Sequence, residues 1–225
     1  MNLDDLIKQY RADALDQGRA VGGGDADVFC SDELLTIYAN EAQVEACRRG
    51  QLLRDSVSPM CRIAFLAGAE TVDLDSRVVR ILRAFINGQE VGEISVDEMD
   101  CYHPGWQFQE RQDVPQRLVA GMTTGKLHLW PRPAADGELR LTVQRLPLKP
   151  MRACMDKPEI RPELHFALVH WMLYRAYGRE DTDMHNDAKA AVALAKFEAE
   201  FGRKASGRNE EWVRSREVGV PGPLA

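Results

Sequence analysis

Apolar and polar residues alternate most clearly between residues 126 and 148. Leu139, Leu141 and Val143 are separated by single polar residues, and this period of two predicts a strand with one buried and one solvated face. A shorter run at 126–130 has leucine at two alternate positions and predicts a second strand. The pattern therefore indicates the two arms of a β-hairpin.

The segment between these arms cannot continue a ladder of backbone hydrogen bonds. Pro131 and Pro133 lack backbone N–H donors and restrict φ, and Asp136-Gly137 is a pair that tolerates positive φ. We therefore expect a hairpin with a stiff tip. Because a lone hairpin is marginally stable in water, other strands or a helix must cover its apolar face.

Apolar residues at spacings of three and four predict four helices. Ser31 is a favourable N-cap for the second helix, since Asp32 and Glu33 follow in the first turn, where the helix dipole favours negative charge. The last two helices are joined by a short turn, which predicts an antiparallel pair. The predicted helices cover residues 2–17, a segment from Ser31 that ends before Pro59, residues 159–177, and a segment from Asp181 or Thr182 to Phe201, before Gly202.

Short apolar runs separated by turn residues occupy the chain from Cys61 to Ala120 and predict strands. The run from Arg77 to Ile86 fits a helix about as well as a strand by its spacing alone. Asn87-Gly88 directly after it is the preferred type I′ hairpin pair. We therefore predict that Val78–Ile86 and residues 90–94 form antiparallel strands, and that the 61–120 region covers the 126–148 hairpin.

The order of these elements predicts an α+β fold. In this fold, N- and C-terminal helices form a helical bundle, an antiparallel β domain is inserted between them, and an extended tail follows. The predicted boundaries are residues 1–58 for the N-terminal helices, 59–150 for the β domain, 151–202 for the C-terminal helices and 203–225 for the tail.

The composition excludes several classes of protein. The formal net charge is -6, from 29 basic and 35 acidic residues, which argues against a general nucleic-acid-coating role. Five cysteines without a C-x-x-C pair predict reduced thiols rather than a disulfide framework or a thiolate zinc site. The N-terminal residues lack the pattern of a cleaved signal, and no stretch is apolar enough for a membrane span. We expect a protein without membrane association.

Candidate chemistry is concentrated in the loop at 97–106, which contains Asp97, Glu98, Asp100, Cys101 and His103. A cysteine nucleophile needs a histidine within hydrogen-bond reach and a third orienting group, and neighbours two apart in a loop rarely reach that geometry. The favoured interpretation is a loop in which Pro104-Gly105 makes the turn and Trp106 anchors on the sheet.

Two further features of the sequence bear on function. His165 and His170 are five positions apart, so they do not share a helix face as a metal-binding pair would, and no metal or cofactor site is predicted. Residues 203–225 are locally basic and carry Trp212 with little else to bury. Such a segment either frays in solution or is ordered by a partner.

The layout as a whole resembles the head-to-tail adaptor proteins of tailed bacteriophages, including the tail tubular protein A type. The resemblance is carried by the following segments: Arg77 to Glu93, Pro104-Gly105-Trp106, Val114-Pro115, Lys126 to Pro133, Gly137 to Pro147, and Ala176-Tyr177-Gly178 with Asp181 and Asp183. None of these segments is a catalytic signature. The resemblance therefore implies a structural protein of the virion and not an enzyme.

What the resemblance implies is a ring, typically of twelve subunits, bound beneath the portal at the head–tail junction after synthesis in the host cytoplasm. The expected partners are the portal protein, a downstream tail or nozzle protein, other copies of the chain, and double-stranded DNA that passes through during genome ejection without specific recognition. The expected portal-binding residues lie in the tail and are Arg203, Lys204, Arg208, Trp212, Arg214 and Arg216. The stiff tip is expected to contact a neighbouring subunit or tail protein through Trp130, Pro131, Arg132 and Pro133.

Two alternatives stay open from the sequence. One is another virion component, such as a tail-tube or capsid-decoration protein, or a non-viral interaction module with the same layout. The other is a small cytosolic enzyme that uses the 97–106 loop.

Overall fold

A computed structural model describes residues 1–15, 28–180, 185–205 and 207 of the chain. Within these residues the helices are α1 (Leu3–Ala14), α2 (Asp32–Gly50), α3 (Val96–Tyr102), α4 (His165–Tyr177) and α5 (Asp187–Phe201). The strands are β1 (Leu53–Asp55), β2 (Arg62–Phe65), β3 (Thr71–Asp73), β4 (Val78–Ile86), β5 (Gln89–Glu90), β6 (Gly92–Ser95), β7 (Gln112–Asp113), β8 (Arg117–Ala120), β9 (Lys126–Trp130), β10 (Arg132–Pro133) and β11 (Gly137–Arg145). The fold class is α+β, as predicted.

The chain divides into two compact units. The helical unit comprises Met1–Leu53 and Leu146–Lys204, and the β unit is built on Arg54–Arg145. The helical unit contains α1, α2, α4 and α5, whereas α3 belongs to the β unit.

The helical unit is organised around α4, which packs against α1, α2 and α5. Its core is made of large side chains that are almost completely buried, together with small alanines on α2 that let the helices approach closely. The largest of these buried side chains are Leu6, Tyr10, Leu35, Leu168, Met172 and Phe197. The rings of Trp171 and Phe197 are 5.0 Å apart, and Asn186 donates its backbone N–H to the Tyr177 carbonyl at 2.9 Å, so α5 runs antiparallel to α4 as predicted.

The ends of the helices differ from the predicted ones where local side chains take over. Ser31 caps α2 as expected, but α2 ends at Gly50, where Gln51 adopts φ 49°, and not just before Pro59, since Leu53–Asp55 forms β1. Helix α1 ends at Ala14 because Leu15 adopts φ 56°, three residues before the predicted end at residue 17. Helix α5 begins at Asp187 and not at Asp181 or Thr182, since Asn186 accepts the N–H of Lys189 as its cap. Residues 181–184 lie outside the described part of the chain.

Helix α4 begins at His165, six residues after the predicted start at Glu159. A 3-10 turn at Pro162–Leu164 precedes it, with proline at its first position. The Glu159 carboxylate accepts the N–H of Leu148 at 2.6 Å, and the Glu159 N–H donates to the buried side chain of Gln43 at 2.8 Å. The segment before α4 is thus bonded to other elements of the helical unit and does not extend the helix.

The β unit contains a five-stranded sheet with the order β1-β11-β4-β5, in which β2 also pairs with β11, and a four-stranded sheet with the order β3-β9-β8-β6. The Asn-Gly turn is confirmed: β4 pairs antiparallel with β5, and Asn87 and Gly88 have φ of 51° and 80°. The predicted partner strand over residues 90–94 is wrong in its extent, because β5 covers Gln89–Glu90 and Gly92–Ser95 forms β6 in the other sheet. The β domain is not purely antiparallel, because β6 pairs parallel with β8 and β7 pairs parallel with β10.

The predicted hairpin of residues 126–148 is wrong. Its first arm, β9, pairs with β3 and β8, and its second arm, β11, pairs with β1, β2 and β4 in the other sheet. The strands between Cys61 and Ala120 nevertheless cover both arms, as expected. Residues 131–136 therefore carry the chain from one sheet to the other.

The contacts of Asp136 and Gly137, the pair predicted to form the turn, explain this difference. Asp136 accepts the backbone N–H of Ala67 at 2.7 Å, which ties the segment to the end of β2. Gly137 does not adopt positive φ, and a Cβ there would lie 2.5 Å from Cζ of Phe65. The glycine is required for close approach of β11 to the Phe65 ring and not for a turn.

An ion pair joins the two ends of the β unit. Asp55 in β1 and Arg145 in β11 are 90 residues apart, and Arg145 Nε donates to Asp55 Oδ2 at 2.6 Å. Both side chains are about nine-tenths buried. Since an inserted domain must enter and leave its host at neighbouring points, this pair fixes the two chain ends that the β unit needs to hold together.

Candidate functional site

The acidic residues of the 97–106 segment serve the local fold. The first part of the segment forms α3 and not the predicted loop, with Ser95 and Glu98 in a reciprocal capping box. Trp106 is buried and donates its indole N–H to Asp100 Oδ1 at 2.8 Å. Gly105 has φ 74°, which confirms the predicted turn. The burial of Trp106 confirms the predicted anchor.

The histidine and the cysteine of that segment also have structural surroundings. His103 stacks on Trp130 with ring centroids 4.3 Å apart, whereas Cys101 is exposed. The structure pairs none of the five cysteines in a disulfide. In the described ranges, no group of three or more His, Cys, Asp or Glu side chains is arranged to hold a metal ion.

The two histidines of α4 have different surroundings. The ring of His165 is buried, with Nδ1 3.0 Å from the Met1 carbonyl oxygen and Nε2 2.9 Å from the Ile160 carbonyl oxygen, as expected for a hydrogen-bonded core histidine. His170 is half-buried at the edge of the helical unit, where its ring meets Phe166 edge-on.

The segment Trp130 to Pro133, predicted to contact a neighbour, is mostly covered within the β unit. Trp130, Pro131 and Pro133 are buried, and Trp130 packs in a small core with Met99 and Trp106. Arg132 is half-exposed and pairs with Glu70 at 3.4 Å. Of the four residues predicted for contact, Arg132 therefore has the most surface available for it.

The predicted portal-binding tail begins directly after α5. Arg203 and Lys204 are exposed, and Arg203 lies 4.0 Å from Glu198 on α5. The predicted residues Arg208, Trp212, Arg214 and Arg216 lie outside the described part of the chain. The structure thus places the beginning of the tail at the surface of the helical unit.

The helical unit exposes apolar side chains that the sequence pattern did not predict, because the spacing of apolar residues indicates one buried stripe on each helix. Phe166 on α4, Val192 on α5, and Ile37 and Val44 on α2 are exposed. The signal was available, because α4 is apolar on nearly all sides and α5 is rich in alanine beyond its buried stripe. A helix that is apolar all round is normally buried, so exposed apolar positions on such a helix indicate a contact surface.

A comparison with protein families identifies the family of the chain. The model of the SU10 adaptor protein family matches residues 1–220, which is nearly the whole chain. The chain belongs to the SU10 adaptor protein family. The chain is therefore a bacteriophage adaptor, a structural protein of the virion, and the predicted resemblance to phage adaptors is confirmed.

The narrower resemblance to the tail tubular protein A type stays a prediction. A search of curated proteins found no match to the chain. Among the residues that the structure describes, no helix is both long enough and apolar enough to cross a membrane.

Proposed function

We propose that the chain forms a closed ring beneath the portal, joins the capsid to the tail and lines the channel through which DNA leaves the head. The observation that carries this proposal is the family match over residues 1–220, which includes both the helical unit and the β unit. In this proposal the helical units form the wall of the ring, and the chain is located at the head–tail junction of the virion.

The ring is proposed to contain twelve subunits and to pass double-stranded DNA without recognising its sequence. The net charge of -6 supports passage without strong binding, because affinity for DNA backbones comes from lysine and arginine contacts to phosphates. A protein with an acidic balance adds little of this sequence-independent affinity.

The portal is proposed to bind residues 203–218. The argument is the local density of positive charge, with Trp212 as an aromatic anchor of the type that dominates protein interfaces. Arg203 and Lys204 are exposed where the segment leaves α5, which supports access by a partner. Arg132 is proposed as a contact to the downstream tail protein or a neighbouring subunit.

Electron microscopy tests the ring directly. We expect negative-stain images of the purified chain mixed with its portal protein to show closed rings with a central hole, and class averages with twelve-fold symmetry. A chain that stays monomeric in the presence of portal would contradict the proposal. Stacked tubes, or binding across the capsid surface, would instead support a tail-tube or decoration protein.

Removing the tail tests the portal contact. Deletion of residues 203–225 should abolish assembly on purified portal, because it removes every residue proposed to bind there. The deletion leaves α5 intact to Phe201 together with its terminal Gly202, so we expect the helical unit to fold. Assembly can be measured by co-sedimentation with portal, and folding by circular dichroism.

A shorter deletion is the matched control for this experiment. Removal of residues 219–225 keeps all six proposed portal-binding residues and should leave assembly unchanged. Undiminished binding by the longer deletion would show that the portal binds elsewhere.

A further inference from the structure

A groove runs between α4 and α5 on the surface of the helical unit. Its α4 side carries Phe166, His170, Leu173 and Tyr177, which lie within about 60° of one another at 3.6 residues per turn. Its α5 side carries Val192 and Lys196. Phe166 is 48% exposed and Val192 is 57% exposed, so within the described residues this α4–α5 groove is an apolar surface open to solvent.

The floor of the α4–α5 groove is uncharged, and its α5 rim is basic. Burial, with a smaller contribution from the charge of Lys196, lowers the pKa of His170, so the ring is neutral at neutral pH. Lys189 and Lys196 line the α5 rim beside Val192, whereas Asp13 of α1 and Glu200, one turn beyond Lys196, place carboxylates near His170. An occupant suited to this groove has apolar side chains along one face and acidic groups beside them.

A face of α2 has these properties. Glu33, Ile37, Glu41 and Val44 lie within about 80° of one another on the helix. Ile37 is 54% exposed, Val44 is 38% exposed and Glu33 is exposed, so the α2 face presents two apolar side chains with one acidic side chain beside Ile37, while Glu41 pairs with Arg175 within the subunit. The spacing matches the way an amphipathic helix fills a groove in a partner.

The α2 face and the α4–α5 groove lie on different sides of the helical unit. Arg175 of α4 pairs with Glu41 of α2 at 2.9 Å, so it marks the side of α4 that meets α2. Arg175 follows Phe166 by nine positions, or about 900°, and therefore points to the opposite side of α4 from the groove. One subunit thus carries two distinct, complementary surfaces, as a head-to-tail contact between identical subunits requires.

We propose that the α4–α5 groove of one subunit receives the α2 face of the next subunit. Ile37 and Val44 cover the apolar floor between Phe166 and Val192, and Glu33 lies near Lys196 on the rim. A head-to-tail contact of this kind closes into a ring when its rotation permits. This inference rests on the proposed ring and specifies which surfaces build it.

Matched substitutions at exposed valines test the groove. Val192→Asp replaces an apolar contact by a carboxylate that would compete with Glu33 of the next subunit for Lys196, and it should weaken ring assembly on portal by about tenfold or more, because burying a charge is costly even beside a partner. Val57→Asp makes the same change at a position 78% exposed in the β unit and should leave assembly unchanged. Unaltered circular dichroism of both variants would show that each one folds.

Cysteine pairs test which surface occupies the groove. In a background with the exposed Cys101 and Cys154 changed to serine, Val192→Cys protein is mixed with Ile37→Cys or Val44→Cys protein in the presence of portal. Mild oxidation should link the two proteins, because a disulfide needs Cα atoms within about 7 Å. The pair of Val192→Cys with Val57→Cys should stay unlinked.

The outcomes separate this inference from the proposed function. If the wild-type chain forms rings, normal ring assembly by Val192→Asp would overturn the inference and leave the proposed ring intact. Absence of a disulfide between Val192→Cys and either α2 cysteine would do the same. A link from Val192→Cys to a cysteine of portal would also overturn it. Failure of the wild-type chain to form rings would overturn the proposed function itself.

Discussion

Arg49→Met is expected to lower the free energy of unfolding of the helical unit by about 3 kcal/mol or more, the cost of removing one partner from a buried ion pair. The Arg49 side chain is 4% exposed and lies 3.1 Å from Glu45 and 3.7 Å from Glu198. Its guanidinium also sits over the rings of Trp171 and Phe197, at 5.2 and 5.3 Å. The substitution removes the more buried of the two arginine partners of Glu45, together with the contact to Glu198 and both rings.

Urea denaturation followed by circular dichroism measures this effect on the helices, and the neighbouring arginine is its control. Arg48 pairs with the same Glu45 at 3.0 Å but its side chain is 29% exposed, so Arg48→Met should cost less than about 1 kcal/mol. Arg49→Lys keeps the charge but loses the planar stack on Trp171, and an intermediate loss is expected. Equal losses for Arg48→Met and Arg49→Met would show that burial of Arg49 contributes nothing.

Asp55→Asn is the substitution expected to affect the β unit most, with a loss of about 3 kcal/mol because it removes the carboxylate that pairs with the buried Arg145. Asp55 accepts the N–H groups of Val57 and Ser58 at 2.9 and 3.0 Å in addition to Arg145. Since this ion pair joins the two chain ends of the β unit, its loss should also expose both ends to proteolysis. Limited proteolysis and urea denaturation give the two measurements.

The same residue gives a pH dependence with a definite sign. Burial alone would raise the pKa of Asp55, but the hydrogen bonds from Ser58, Val57 and Arg145 outweigh it and hold the pKa well below its usual range. A carboxylate with a lowered folded-state pKa stabilises fully above its unfolded pKa, near 4, and the stabilisation is lost as pH falls further. Wild-type protein should therefore lose stability below about pH 4 more steeply than Asp55→Asn.

An exposed aspartate with a similar local geometry is the control. Asp113 accepts the N–H of Val114 at 2.8 Å and a guanidinium N–H of Arg111 at 2.9 Å, but the pair lies at the surface. Asp113→Asn should leave stability and its pH dependence unchanged, because solvent screens exposed pairs. A loss as large as that of Asp55→Asn would place the cause in the turn geometry and not in the buried pair.

The substitutions above separate folding from assembly. Arg49 and Asp55 are buried and should change the stability of the isolated chain, whereas Val192 and Val57 are exposed and should leave it unaltered. Loss of ring assembly in a variant that retains full stability therefore identifies a contact surface. This distinction is needed because the function proposed for the chain is assembly, which a loss of folding would also abolish.

Local interactions explain which elements were predictable. Ser31 caps α2 and Asn87-Gly88 turns β4 into β5 because each signal acts on residues within a few positions of itself. The buried positions Leu139, Leu141 and Val143 also follow the predicted period of two. For the same reason, helix ends were missed where the deciding group was a poorer signal, such as Asn186 before α5.

The sequence by itself determined the α+β class, most of the helices and strands, and the resemblance to phage adaptors, because these depend on periodicity, caps and element order. Only the tertiary structure decided that β9 and β11 belong to different sheets, that Asp55 meets Arg145, and that exposed apolar surfaces lie on α2 and between α4 and α5. Each of these depends on contacts between residues far apart in the chain. Periodicity shows that a strand or helix has an apolar face, but it carries no information on which distant element covers that face.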